Sequence, residues 1–123
     1  SPGYPHVKGT IEHLSIYLAI STTVAADVFF FAKATGHTTD IDTNSYIDHQ
    51  SFAAGAFITK IDGATATVKV ASAGGLSIPY VDRNKSGKIH IGICPNKTLT
   101  YNTTTGFGSA VVEIGWRPDV GGV

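Results

Sequence analysis

The chain has 123 residues, of which 42% are hydrophobic and 15% are charged. This length is typical of one domain, and the composition is too apolar for a disordered chain. Nine basic residues balance nine acidic ones, so there is no field of one sign to attract nucleic acid or an anionic membrane. The single cysteine, Cys94, cannot form an internal disulfide, so the fold must rest on packing.

The N-terminal third alternates apolar and polar residues with a period of two, which predicts one long strand over residues 7–21, or two strands with a bend. Serine, threonine and aspartate residues interrupt the apolar run at residues 14–32, which argues against a membrane helix. A second strand is predicted over residues 27–34, with Phe30 on one face and Phe29 and Phe31 on the other. Aromatic residues on both faces favour a strand that is covered on both sides.

The middle of the chain reads as a loop at residues 35–45, followed by a β-prone stretch in which Gly55 marks a bulge or kink. Asp62-Gly63 between two β-prone runs then predicts a hairpin. In its second strand, Val68 and Val70 face one way and Lys69 the other.

The last third predicts three more strands. Pro79, in the short strand predicted at residues 76–81, must lie at a sheet edge or at a strand end, and residues 82–87 are predicted to form a tight turn. The next strand turns three isoleucines, Ile89, Ile91 and Ile93, into the core. The final strand does the same with Val112, Ile114 and Trp116. We therefore predict an all-β fold: one antiparallel β-sandwich domain of about eight strands, jelly-roll-like, with an extended arm at residues 1–7 and a tail at 118–123.

His90 and Cys94 lie four residues apart in the segment KIHIGICPN and raise the question of a catalytic or metal-binding pair. On a strand these two residues share a face but lie roughly 13 Å apart. A base and its nucleophile need a distance of about 3 Å, and two ligands of one metal ion must also lie close together. We therefore expect a buried structural thiol, no catalytic residue, no metal site and no cofactor.

Three other patterns offer alternatives. Asp40, Asp42, Asn44 and Asp48 follow the spacing of a calcium loop, but Ser45 and Ser51 replace its glycine and its final glutamate. The only two glutamates, Glu12 and Glu113, suit a glycosidase pair if their strands are neighbours. Acceptor sequons for N-glycosylation begin at Asn84, Asn96 and Asn102.

Aromatic residues suggest a further alternative, a carbohydrate-binding module with a stacking platform. Its candidate members are Tyr80, Tyr101, Phe107 and Trp116, although Trp116 alternates with core residues. A filament subunit, in which a terminal arm completes the sheet of the next copy, is a third possibility. Both alternatives imply an extracellular protein.

The segments VDRNKSGKIHIGICPN and GSAVVEIGWRPD, within residues 81–119, resemble the C-terminal half of small jelly-roll head decoration (cement) proteins of tailed bacteriophages. The resemblance implies a non-enzymatic protein on the outer surface of an icosahedral capsid. Its partners would be the major capsid protein and copies of itself, as a dimer or trimer, and it would bind neither nucleic acid nor membrane. We expect the contacts to come from the arm, the aromatic strand face and the late loop: Tyr4, Pro5, His6, Phe29, Phe31, Tyr101 and Phe107.

Overall fold

The computed structural model describes residues 8–33, 45–62, 67–83, 87–101 and 110–119. Eight strands and one 3-10 turn make up the regular structure of this part of the chain. In chain order these are β1 (Lys8–Leu18), β2 (Ala26–Phe31), β3 (Tyr46–Phe52), the 3-10 turn (Ala54–Ala56), β4 (Ile58–Asp62), β5 (Thr67–Ala73), β6 (Ile78–Val81), β7 (His90–Pro95) and β8 (Ala110–Pro118).

The strands form two antiparallel sheets, so the prediction of an all-β sandwich is confirmed. In the large sheet β1 is central and pairs along its length with β8. The other edge of β1 is shared by two strands. β6 pairs with the first half of β1, and β5 pairs with the second half. β4 extends the sheet beyond β5, and the small sheet has the order β3-β2-β7.

The core lies between the two sheets and follows the predicted alternation. Ile16 of β1 and Val28 and Phe30 of β2 are fully buried in it. The three isoleucines of the β7 region and the three predicted residues of β8 pack against this core as partly buried side chains. Burying a large apolar side chain contributes roughly 1.5–3 kcal/mol, so this layer supplies much of the folding free energy.

The structure defines the details of the strands more closely. β1 ends at Leu18 rather than at residue 21, and its register with β8 shifts between Ile11 and His13. The bulge or kink predicted at Gly55 is a 3-10 turn between β3 and β4. β4 does pair with β5 as the Asp-Gly signal predicts, with Asp62 opposite Thr67, while residues 63–66 lie outside the described part.

Pro79 lies where its missing N–H group is tolerated, in the short strand β6. Pro79 is exposed and pairs with Thr10 of β1. β6 is an edge strand of the large sheet. Within the described ranges, no helix is long and apolar enough to cross a membrane.

Tyr80 ties the two sheets together from inside the core. Its side chain is buried, and its ring makes an edge-to-face contact with Trp116 of β8 at 5.9 Å between centroids. Its hydroxyl donates to the Phe31 carbonyl at 2.6 Å and accepts from the His90 N–H at 2.8 Å. Phe31 and His90 are paired across β2 and β7, so one large-sheet side chain bridges the end of the small sheet.

We expect Tyr80→Phe to lower the free energy of unfolding by about 1–3 kcal/mol, because it removes the bonds of the hydroxyl to a buried carbonyl and to a part-buried N–H. Thermal or denaturant unfolding measures this loss. Tyr101→Phe is the control, because Tyr101 is exposed, and it should change stability by less than about 0.5 kcal/mol. Equal effects of the two substitutions would show that the bridge contributes nothing.

The same hydroxyl predicts a pH dependence. Burial is the main reason that the pKa of Tyr80 rises to about 12; the nearby Asp82 carboxylate adds to this, and the His90 N–H opposes it. In the unfolded chain the tyrosine hydroxyl loses its proton near pH 10. The contribution of Tyr80 to the free energy of unfolding is therefore complete below about pH 10 and falls as the pH rises toward 12. Tyr80→Phe should therefore lose less stability than the wild type over this interval in denaturant titrations. If the free energy of unfolding fell equally with pH in the wild type and in Tyr80→Phe, the raised pKa of Tyr80 would be contradicted.

Candidate functional site

His90 and Cys94 both lie on β7, and they occupy different positions along the small sheet. His90 pairs with Phe31, whereas Cys94 pairs with Asp27, four positions along the same neighbouring strand. Cys94 is exposed, so the prediction of a buried thiol is wrong: its strand lies at a sheet edge and its side chain points away from the core. Their separation along an extended strand, as predicted, keeps the two groups from acting on one bond.

His90 instead faces a buried carboxylate. Its Nε2 lies 3.8 Å from Oδ1 of Asp82, whose side chain is fully buried. The other oxygen of Asp82 accepts hydrogen bonds from the N–H groups of Gly87 and Lys88, at 2.8 and 3.4 Å. Gly87 has φ of +76°, a backbone conformation that favours glycine. These contacts hold the entry to β7 in place, which is a structural role.

A cluster of rings lies on the outer face of the small sheet. We call Phe29, Phe31, Tyr46 and His49 the aromatic face. Phe29 is at its centre, with ring centroids 6.2 Å from Phe31, 6.3 Å from Tyr46 and 5.5 Å from His49. Aromatic pairs at such separations attract each other beyond the effect of buried area, so the cluster is a preformed surface rather than a set of independent side chains.

The aromatic face is only partly covered. Phe31 is 1% exposed, so of the two predicted phenylalanines Phe29 offers the accessible surface. Phe29 and Tyr46 are half-buried, and His49 is exposed. The Tyr46 hydroxyl and Nδ1 of His49 are hydrogen-bonded at 2.8 Å. Burial, followed by the negative charge of Asp48, raises the pKa of Tyr46, so its hydroxyl stays protonated at neutral pH.

The neighbouring strand β7 leaves the centre of the aromatic face open. Gly92 pairs with Phe29 and therefore lies on the same face, where it brings no side chain. His90 lies beside Phe31 in the next row, and Asp27, Cys94 and Ser51 form a polar row on the other side. The surface thus combines an apolar centre with a polar margin, the arrangement found at protein interfaces.

A local irregularity brings Tyr46 and His49 together, and a period-two pattern does not predict it. Three positions separate them along β3, so strict alternation puts them on opposite faces. The register of β3 with β2 shifts between Phe30 and Phe31, which turns both toward the outer face. The sequence pattern accordingly predicts the two phenylalanines as contact residues but not their β3 neighbours.

The other predicted contact residues are placed as follows. Tyr101 follows β7 and is 36% exposed, which leaves it accessible to a partner. The proposed sugar platform loses two members: Tyr80 is buried and Trp116 packs against it in the core. Outside the described residues lie Tyr4, Pro5, His6 and Phe107.

The remaining patterns have structural partners. Asp48 lies within β3 and bonds the N–H of His49, so the second half of the suggested calcium loop is a strand. Glu12 accepts from Arg117 at 3.0 Å, an exposed ion pair. The exposed Asn96 accepts from the Ala25 N–H through its side-chain oxygen. Among the described residues, no group of three His, Cys, Asp or Glu side chains could hold a metal ion.

Comparison with known proteins does not place the chain in a family. No protein-family model matches it, and neither a curated protein nor a solved structure shows a match.

Proposed function

We propose that the protein is a structural component of a virion, which decorates or cements an icosahedral capsid by bridging neighbouring shell subunits. The major capsid protein and further copies of this chain would be its partners, on the outer surface of the shell. The aromatic face would make the central contact, and Tyr101 would be a further contact residue. Binding requires no chemistry at the site and no cofactor.

The observation that carries this proposal is the aromatic face itself. Ring contacts and the Tyr46–His49 hydrogen bond restrain the accessible cluster around Phe29 before a partner arrives. A rigid aromatic surface loses little conformational entropy on binding, and aromatic residues dominate the energetics of protein interfaces.

Two features of the sequence also support the proposal. The resemblance to cement proteins spans residues 81–119, which supply β7, one border of the aromatic face, and β8. A formal net charge of zero resists association poorly, which suits a protein present in many adjoining copies. Many such contacts of modest affinity give a large combined avidity.

Binding to shells tests the proposal. Shells of the source particle, stripped of this protein, should recover thermal and mechanical stability when it is added back. We expect Phe29→Ala to weaken shell binding at least tenfold in co-sedimentation, because it removes the centre of the contact. Ile58→Ala is the matched control, since Ile58 is an exposed apolar residue of the large sheet, and its binding should be unchanged.

Two results would contradict the proposal. Stripped shells that gain no stability from the wild-type protein would remove the cementing role. Full shell binding by Phe29→Ala, with its fold verified by circular dichroism, would remove the aromatic face as the contact.

A further inference from the structure

The outer face of the large sheet carries two adjacent cross-strand rows of different character. The register pairs Ser15 of β1 with Ser72 of β5 and with Glu113 of β8, which we call the polar row. Two positions along, Tyr17 pairs with Val70 and Val111, which we call the apolar row. Directly paired residues share a face, so both rows lie on the side opposite the core residues Leu14 and Ile16.

A hydrogen bond lies within the polar row. The hydroxyls of Ser15 and Ser72 lie 2.8 Å apart. Glu113 lies diagonally across from Tyr17 on this face. Hydrogen bonding to its carboxylate, followed by burial, raises the pKa of Tyr17. Ser15 and Val70 are buried, Tyr17 and Val111 are half-buried, and Ser72 and Glu113 are exposed. The accessible surface of the two rows therefore comes from these last four residues.

An exposed histidine continues the polar groups beyond Ser15. His13 lies on the same face of β1 and pairs with Gly115 of β8. A Cβ atom at Gly115 would lie 2.9 Å from the Cβ of His13, and one at Gly74 would lie 3.9 Å from its Cδ2. Gly115 and Gly74 therefore lie on the two sides of His13 across the sheet, and neither has a side chain that could cover the imidazole.

We infer that this face binds a neutral saccharide, across the strands from β5 to β8. A sugar ring presents C–H groups on its flat face and hydroxyls around its edge, so it needs an apolar or aromatic surface beside hydrogen-bonding groups. The apolar row, centred on Tyr17, supplies the first, and Ser72, Glu113 and His13 supply the second. Rows two residues apart are separated by about 7 Å, within reach of one sugar unit.

The charges on this face select among saccharides. Glu113 is the one formally charged group in the two rows, and a carboxylate repels the carboxylates, sulfates and phosphates of anionic glycans. A carboxylate also accepts hydrogen bonds from hydroxyls strongly. The ligand class is therefore a neutral hexose or pentose oligomer. The site shares no residue with the aromatic face, so each can fail without the other.

The test is a titration of the isotope-labelled full chain, followed by NMR, with five neutral hexasaccharides: cello-, xylo-, manno-, malto- and chitohexaose. At least one should shift the amide resonances of Ser72, Glu113 and His13. Tyr17→Ala and Glu113→Gln should each weaken that binding at least tenfold. Tyr17→Phe keeps the ring and loses only the hydroxyl, so it should weaken binding less than Tyr17→Ala. Phe29→Ala, on the other sheet, should bind as the wild type does.

Several results would overturn the inference. Binding of none of the five hexasaccharides is one, and loss of binding in Tyr101→Ala but not in Tyr17→Ala is another, because it would place the site at the loop after β7. A dimer that Tyr17→Ala dissociates, without any saccharide shift, would show that a second copy covers this face instead.

Discussion

Phe30→Ala should lower the free energy of unfolding by about 3–5 kcal/mol, the usual cost of truncating a buried phenylalanine. Phe30 is fully buried, and it lies in β2, the strand that has a partner on each side in the small sheet. The rigid strands around it cannot close the space that its ring leaves, so the substitution creates a cavity as well as losing apolar burial. A domain with a typical stability of about 5–15 kcal/mol would keep only a fraction of it.

Phe29→Ala is the matched control for this prediction, because it removes the same ring from the next residue of the same strand. Phe29 faces outward and is half-buried, so its loss should cost clearly less than the loss of Phe30. Urea unfolding of both variants, followed by circular dichroism, measures the difference. A larger loss for Phe29→Ala would show that the two faces of β2 are assigned the wrong way round.

Gly9→Ala should also be strongly destabilising, by about 1–3 kcal/mol or more. A Cβ atom at this position would lie 2.3 and 2.4 Å from two ring atoms of Trp116 and 2.6 Å from the carbonyl oxygen of Arg117. The carbonyl belongs to the paired strand β8 and the indole ring packs on Tyr80, so neither can move without disturbing the large sheet. Glycine is required here because of a close approach, not because of its backbone angles.

Gly55→Ala is the control for Gly9→Ala. A Cβ atom at Gly55 would meet no atom within 4 Å, so this substitution should be neutral or slightly stabilising. Thermal unfolding of the two alanine variants side by side provides the measurement. Should Gly9→Ala unfold at the wild-type temperature, the indole of Trp116 cannot lie over this part of β1.

Side-chain alternation made much of the fold predictable. The period of two in β1, in β2 and in the isoleucines before and within β7 identified both the strands and the sides that face the core. The Asp-Gly pair correctly indicated that β4 pairs with β5, and Pro79 indicated a sheet edge. These signals are local, and each has a direct physical cause in the pleat of a strand or in a missing N–H group.

Interactions between distant segments were not predictable in the same way. Tyr80 looked like a surface aromatic residue in a short strand, but its hydroxyl bridges Phe31 and His90 in the other sheet. Asp82 looked like a turn residue, but it is buried and faces His90. Such contacts depend on how the two sheets pack, which no period within one strand reveals.

The candidate binding surfaces, too, were only partly predictable from the sequence. Phe29 and Phe31 stood out because they are adjacent to a third phenylalanine in one apolar run. The aromatic face also needs the shift in register between β2 and β3, which brings Tyr46 and His49 to one side. The rows on the large sheet need the three-strand register of β5, β1 and β8, because their members lie as many as 98 positions apart in the chain, from Ser15 to Glu113.

We propose that the protein binds a shell through its aromatic face. An electron cryo-microscopy map of stripped shells that have been reconstituted with the protein would show this contact. We expect density for the β-sandwich on the outer surface, with Phe29, Tyr46 and His49 against a shell subunit or a second copy. A map in which these three side chains face solvent, or in which the shells carry no bound protein, would contradict it.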